Sequence, residues 1–359
     1  MFAGAFFNGR EADELLNRGL AILRKQLVEQ ILPDGGHFER SPMYHSVVLT
    51  DLIDLIQLAE TYSGVFQELD VFAWRAAAGK MLRWLRIMTH PDGGIAFFND
   101  AALDAAPDYA TLSRHASSFG VIEPIACGST TTGLHPLPES GYVRLERGQA
   151  VVIADVGEIG PLYQPGHAHA DTLSFELSLH GSRVIVNGGT STYEVGPERI
   201  QQRGTASHNT VVVNEKDSSE VWASFRVARR ARPRSVCWWS DNNSLCLDAA
   251  HDGYRRLKRG AIHVRRWRLF ESRLIIEDAI RVAVPKMVAM LLVHPAVTMR
   301  PRANGADLEW CSGSARIRVD GAEVSAVPAA WHSRFGVSLH TWRLQSRASG
   351  NTVHTTITW

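Results

Sequence analysis

Three side chains able to bind a metal or move a proton, His167, His169 and Asp171, stand two residues apart in Gly-His-Ala-His-Ala-Asp-Thr-Leu-Ser-Phe at 166–175. In an extended chain, residues i, i+2 and i+4 point to one side, roughly 6–7 Å apart from the rise per residue. Two imidazoles and a carboxylate would then share a face. Phe175, Leu177 and Leu179 alternate with Ser174, Glu176 and Ser178, which predicts a half-buried strand ending at a His180-Gly181 turn. His208 lies in Arg203-Gly204-Thr205-Ala206-Ser207-His208-Asn209-Thr210, at the mouth of Val211-Val212-Val213, where it could meet His169 across neighbouring strands. Two or three histidines with a carboxylate would supply the roughly four ligands that zinc takes. The alternative is imidazoles bonded to loop backbone.

A second constellation is the loop Asp34-Gly35-Gly36-His37-Phe38-Glu39-Arg40-Ser41-Pro42-Met43-Tyr44-His45. Polar loops on a rigid scaffold commonly carry chemistry. Tyr44 and His45 fall at a helix start, where backbone amides favour an anion. A purely structural capping loop is the other reading.

The elements that must position these groups divide in two. Leu16, Leu20, Leu23, Leu27 and Ile31 recur at spacings of three and four, behind Glu11, Asp13 and Glu14 in a first turn, and predict an amphipathic helix over 11–32. Further helices are expected over about 44–62 and 66–89. Pro-Asp-Gly-Gly occurs at 33–36 and again at 91–94, 58 residues on and each time after a helix, as one period of a helical-hairpin repeat. Such hairpins bury their faces only against neighbours. Barely one and a half are present, so the helical part is expected to be shortened relative to a parent or completed by docking on the rest. From about 140 onward the chain turns to short, alternating, β-branched runs separated by Gly, Asn, Asp and Ser. The expected division is a helical part at 1–100, a Pro- and Gly-containing linker at 101–139 and an antiparallel β-sandwich at 140–359.

Composition narrows the partners. The 359 residues carry a net charge of +1, so no overall field favours nucleic acid. No apolar run reaches the ~20 residues of a membrane span. Residues 1–7, Met-Phe-Ala-Gly-Ala-Phe-Phe, lack the basic start of a signal peptide. Cys127, Cys237, Cys246 and Cys311 form no CxxC pair, although a two-residue turn at 241–242 would set Cys237 opposite Cys246 in disulfide range. Two basic runs, Arg226 to Arg234 and Arg255 to Arg268, suit solvated strand faces, nucleic acid or a polyanionic carbohydrate.

Taken together, the Asp34–His45 loop, the 166–175 run and the Arg203–Thr210 segment resemble the heparinase II/III family of polysaccharide lyases. The resemblance implies an α+β multidomain fold, a partial (α/α) toroid followed by a large antiparallel β-sandwich (supersandwich), with the active site in the cleft between them. It implies cleavage of an acidic, uronate-containing polysaccharide by β-elimination. Tyr44 would be base, acid or both, His167 its partner in proton transfer, and His45 and Arg203 would hold substrate. An unperturbed tyrosine, pKa ~10, would need its value lowered to act as a base. The family's structural zinc would fall to His169 and His208, with Asn187 where the family has aspartate, unless Asp171 substitutes. The family's carboxylate-neutralising asparagine has no match from Met1 onward. No organic cofactor, nucleic acid or membrane span is implied, and the compartment would be the periplasm or cell envelope. Two alternatives stand beside the lyase. One is a glycoside hydrolase using two carboxylates ~5–9.5 Å apart, for which Glu39 and Asp100 are the evident helical-side acids. The other is a degenerate carbohydrate-binding or assembly protein.

Overall fold

The apolar spacing of the N-terminal part closes α1 (Phe2–Phe6), α2 (Arg10–Gln30), α3 (Pro42–Thr61) and α4 (Glu68–Ile87) in a computed structural model that describes residues 1–124 and 133–359. Ser41 caps α3, its Oγ accepting from Tyr44 N at 3.2 Å, and Pro42 occupies the first turn, where a missing N–H costs nothing. The α3 residues Leu49, Ile53 and Ile56 pack with Trp74, Ala78 and Leu82 of α4 in one core.

The repeated tetrapeptide forms the same turn twice. Leu32 N donates to Gly36 O at 2.8 Å, as His90 N does to Gly94 O at 2.9 Å. Gly35 (φ 95°) and Gly93 (φ 86°) occupy the left-handed region that glycine enters freely. Each aspartate then docks on the β part of the chain. Asp34 Oδ2 accepts from Ser140 N at 2.7 Å, and Asp92 accepts from Arg183 Nε at 2.7 Å.

The stretch 101–139, which composition marks as linker, carries α5 (Tyr109–Ser117) and the first strand, β1 (Leu134–Leu137). Asp108 caps α5 through Thr111 N at 2.8 Å. Strands β1, β2 (Tyr142–Arg147), β3 (Ala150–Asp155), β4 (Phe175–Leu179) and β5 (Ser182–Ile185) form an antiparallel sheet in sequence order. After α6 (Pro197–Arg203) come β6 (Val211–Val213) and a small ribbon, β7 (Val221–Trp222) with β8 (Arg226–Val227). The remaining strands are β9 (Pro233–Ser240), β10 (Leu245–His251), β11 (His263–Leu269), β12 (Arg273–Ile280), β13 (Met287–Leu292), β14 (Thr298–Arg302), β15 (Gly305–Trp310), β16 (Gly313–Asp320), β17 (Ala322–Arg334), β18 (Val337–Ala348) and β19 (Thr352–Thr358). Eight of them pair as β14-β15-β16-β19-β12-β11-β10-β9, and a four-stranded sheet runs β17-β18-β13-β6. Val186 N donates to Leu292 O and His294 N to Val184 O, both at 3.0 Å, so the smaller sheets continue into one layer facing the eight-stranded sheet. Between the layers lie Val152, Phe175, Leu177, Leu247, Trp267 and Ile276.

Strand β4 is not half buried; all five residues are buried, the polar side included. The helical part covers that side. His90 Nδ1 meets Ser178 Oγ at 2.8 Å and its Nε2 meets Glu176 Oε2 at 3.0 Å, while Trp84, Met88 and Phe98 pack on Tyr142, Val151 and Ile153. Each such apolar side chain contributes roughly 1.5–3 kcal/mol by leaving water.

Cys237 and Cys246 do not pair. The connection is four residues, 241–244, with Asp241 Oδ1 accepting from Asn243 N and Ser244 N, so Cys246 lies opposite Trp239 and Cys237 opposite Asp248. Both thiols are free, and Cys127 lies outside the described residues.

Candidate active site

Tyr44 stands in the first turn of α3 because Ser41 caps it, and its ring stacks on His167 with centroids 3.8 Å apart and planes at 29°. The helical part supplies one ring and the β part the other. The segment 166–174 is not a strand. Ala170 N donates to Arg203 O at 2.8 Å and His169 N to Asn99 Oδ1 at 3.0 Å, so the loop is pinned from both sides. The alternation expected of an extended chain is lost, and His167 and His169 converge instead on Asp100.

Asp100 is the hub of the site and was visible in the sequence only as a helical-side acid. It follows Asn99, which takes φ 56°, a left-handed conformation that asparagine tolerates better than most residues. Its carboxylate is fully buried. Oδ2 takes His167 Nδ1 at 3.0 Å, Oδ1 takes His169 Nε2 at 2.9 Å and Thr190 Oγ at 3.1 Å, and Arg199 of α6 binds both oxygens. Burial alone would push this carboxyl up; the histidine hydrogen bonds and the Arg199 guanidinium outweigh it and hold the group well below the usual carboxylate range.

The acceptor fixes the tautomers. A carboxylate takes N–H from each imidazole, so neutral His167 carries its proton on Nδ1 and presents a bare Nε2, 3.7 Å from Glu39, to the cleft. Burial pushes the Glu39 carboxyl up. Tyr44 and Tyr193 share a hydrogen bond of 3.0 Å. Burial raises both phenols and Asp100 adds to the rise in each; either oxygen can be the donor of their shared bond. Tyr193, Phe225 and Phe335 form an aromatic rim, with Arg199 lying over the first two. Neither Tyr193 nor Arg199 stands out in the sequence. One is a lone aromatic in a Gly-, Ser- and Thr-containing stretch, and the other precedes Arg203 by one helical turn.

Residues 1–120 match the heparinase II/III N-terminus model and residues 129–359 the heparinase II/III-like C-terminal model. The chain belongs to the heparinase II/III-like family. Curated relatives include heparin-sulfate lyase of Bacteroides stercoris, 24% identical over 278 residues, 72% of this chain and 39% of that protein. Another is FtsZ-localized protein C of Caulobacter vibrioides, 27% identical over 274 residues, 74% of this chain and 44% of that one. The chain therefore spans less than half the length of these relatives. Among solved structures, heparinase III aligns with TM-score 0.76 at 16% identity, covering 97% of this chain and 58% of that one. Heparan sulfate lyase HepC of Pedobacter heparinus gives 0.73 at 16%, covering 100% and 58%. The fold is that of heparinase III, a helical part joined to a β-sandwich.

In this family member, two residues assigned to substrate do not face the cleft. His45 is fully buried, its Nε2 donating to Met81 O at 2.9 Å, its Nδ1 accepting from His37 N at 3.2 Å and its ring on Trp84. Arg203 is equally buried, and its guanidinium makes five hydrogen bonds to the carbonyls of Ala168, Trp222, Ala223 and Arg226. It shapes the loop that carries His167.

At the expected zinc site the structure brings His169 and His208 together, with Asn187 beside them and, among the described residues, no carboxylate facing the gap between the pair. His169 Nε2–H donates to Asp100, which aims its Nδ1 lone pair at His208 Nε2, 3.3 Å away, a separation that suits one imidazole donating to the other or two ligands of one tetrahedral ion. Asn187 Oδ1 already accepts from Asn209 N at 3.2 Å. Asp171 turns away, its Oδ2 taking Asn99 N at 3.0 Å, and burial pushes its carboxyl up. Among the described residues, no group of three or more His, Cys, Asp or Glu side chains is arranged to hold a metal.

Proposed function

We propose that this chain binds an acidic, uronate-containing polysaccharide in the cleft between its helical and β parts and breaks the glycosidic bond by β-elimination. One observation carries the reading: a histidine oriented by a buried carboxylate and stacked on a tyrosine at the cleft. His167 Nε2 takes the C5 proton, and the C–H electron pair becomes the C4–C5 double bond as the C4–O bond breaks. Tyr44 O–H gives its proton to the departing 4-oxygen. Its raised pKa suits an acid better than a base at neutral pH. The imidazolium proton can pass on through Glu39 or solvent. The aromatic rim suits the C–H faces of sugar rings. The periplasm or cell envelope is the compartment this reading implies.

Hydrolysis by paired carboxylates is disfavoured by the same geometry. Asp100 has both oxygens committed to Arg199 and two histidines, which leaves Glu39 without a partner acid. A non-catalytic carbohydrate-binding or assembly role is a second reading, favoured by the likeness to FtsZ-localized protein C.

The test is incubation with uronate polysaccharides, heparan sulfate among them, following the ultraviolet absorbance of the unsaturated product. Tyr44→Phe and His167→Ala should each lower the rate by about 10²–10⁴-fold. Unchanged elimination in either variant would overturn these roles. New reducing ends without that absorbance would mean hydrolysis, and saturable binding with neither signal would mean the non-catalytic role.

A further inference from the structure

The β part carries a groove of about 680 Å³ that shares no lining residue with the Tyr44–His167 site. Six guanidinium groups line it: Arg229, Arg230, Arg232, Arg234, Arg255 and Arg256. Only two carboxylates, Glu158 and Asp252, line it with them. The basic runs of the sequence, unassigned by the lyase reading, meet here because β9 and the segment after β10 are neighbours.

The partners of these arginines are unequal. Arg234 is paired with Asp252 at 2.8 Å and Arg229 with Glu220 at 2.7 Å. Arg230 turns to the carbonyls of Pro161 and Leu162, and Arg256 to those of Asp217, Ser218 and Gly253 and, at 3.5 Å, to Glu220. Arg232 and Arg255 are exposed, and neither side chain has a hydrogen-bond or carboxylate partner among the described residues. Folding does not require such crowding. Like charges at this density repel; for Arg230, burial lowers the proton affinity, Glu158 raises it in part and Arg232 lowers it again. A ligand with closely spaced negative charges would relieve the repulsion.

We propose that this groove is a second, non-catalytic binding site for an anionic polysaccharide bearing sulfate or carboxylate on successive sugars. A guanidinium fork matches both groups with two parallel hydrogen bonds. Ile159 and Leu162 give it an apolar wall against which a sugar ring can lie. No aromatic ring lines it, so the stacking platforms that hold single-stranded nucleic acid are missing. The groove is also tied to the active site. Arg230 holds the backbone at Pro161 and Leu162, and Arg40, next to the cap of α3, reaches Glu158 O, on the segment that runs into His167. That the bound polymer is also the substrate rests on the lyase reading; that the groove binds it does not.

The experiment measures binding of a size-defined, heparin-derived oligosaccharide by calorimetry in a His167→Ala background, so that no turnover intervenes. Arg232→Ala/Arg255→Ala is compared with Arg300→Ala/Arg316→Ala, which removes the same charge from arginines paired with Glu309 and Asp307 elsewhere. The groove variant should weaken binding tenfold or more, at least the loss of about one charge-assisted hydrogen bond, while the control stays near the parent. Equal affinities in the two double variants overturn the proposal, as does duplex DNA bound as tightly with the same dependence on Arg232 and Arg255. If the otherwise unaltered chain eliminates no uronate polymer yet the binding loss is confined to the groove variant, the groove stands and the lyase reading falls.

Discussion

Replacing Asp100 by asparagine should separate the two tasks of that side chain, holding the fold and aiming His167. Asp100 and Arg199 are both fully buried, so Asp100→Asn keeps the volume but leaves a guanidinium facing a neutral amide. Breaking a buried ion pair from one side costs about 3–5 kcal/mol, a melting-temperature loss of roughly 4–7 °C for a cooperative unit of this size. The amide also offers an N–H where His167 Nδ1 now finds an acceptor. The imidazole proton then moves to Nε2, and the base facing the cleft is gone. By the precedent of misoriented catalytic histidines, kcat should fall about 10³–10⁴-fold. KM should change little, because Asp100 reaches no solvent. The companion Asp100→Asn/Arg199→Met removes the orphaned cation and should recover most of the melting temperature but none of the rate. Differential scanning fluorimetry and the elimination assay read the two effects. A single variant that melts within about 2 °C of the parent, or turns over as fast, would refute the hub role; a double variant that recovers rate with stability would refute the tautomer argument.

Arg203→Ala should lower the melting temperature by a margin similar to Asp100→Asn, since five hydrogen bonds to carbonyls are lost; a large rise in KM with unchanged melting would restore it to the substrate. Stability should fall on acidification, because burial holds His37 down at about 4, His45 at about 3 and His169 at about 4. Each takes up a proton on unfolding below about pH 6.5, so its contribution is present above that pH and is lost toward its folded value, at up to about 1.4 kcal/mol per pH unit. The raised carboxyls of Asp155 and Asp171 oppose this in part. Urea midpoints that stay level from about pH 7 to about pH 5 would contradict it. Zinc content by mass spectrometry decides the expected site: with two imidazoles and, among the described residues, no carboxylate facing the gap between them, it should be below one ion per chain, and stoichiometric zinc lost in His169→Ala would assign the ion to His169 and His208.

The division into helices and sheets was legible because it rests on periodicity, and the repeated Pro-Asp-Gly-Gly marked a turn that recurs bond for bond. That His167 would meet Tyr44 was expected through motif resemblance, not through local pattern. Asp100, Arg199 and Tyr193 were not, since they come from three segments with no mutual spacing and meet only when the helical part lies on the sandwich. The errors share a cause. Glu176 and Ser178 look like a solvated strand face until His90 covers them, and His45 and Arg203 look like ligand-binding groups until backbone carbonyls claim their N–H donors. Polarity in a sequence marks a need for partners; it does not say whether water, ligand or protein supplies them. The Cys237–Cys246 pairing failed on a smaller matter, a hairpin connection two residues longer than assumed.

The helical core is not closed by helices alone. Val186, Leu292 and Trp331 of the β part complete it, and Trp84 and Phe98 of the helical part fill the outer face of the first sheet. The two parts therefore share interior, and neither can melt without exposing the other's apolar surface, which makes the chain one cooperative unit in place of two hinged ones. Tyr44 and His167 belong to opposite sides of that shared interior. The entropy of bringing them together is settled once, during folding, and does not recur at each encounter with a ligand.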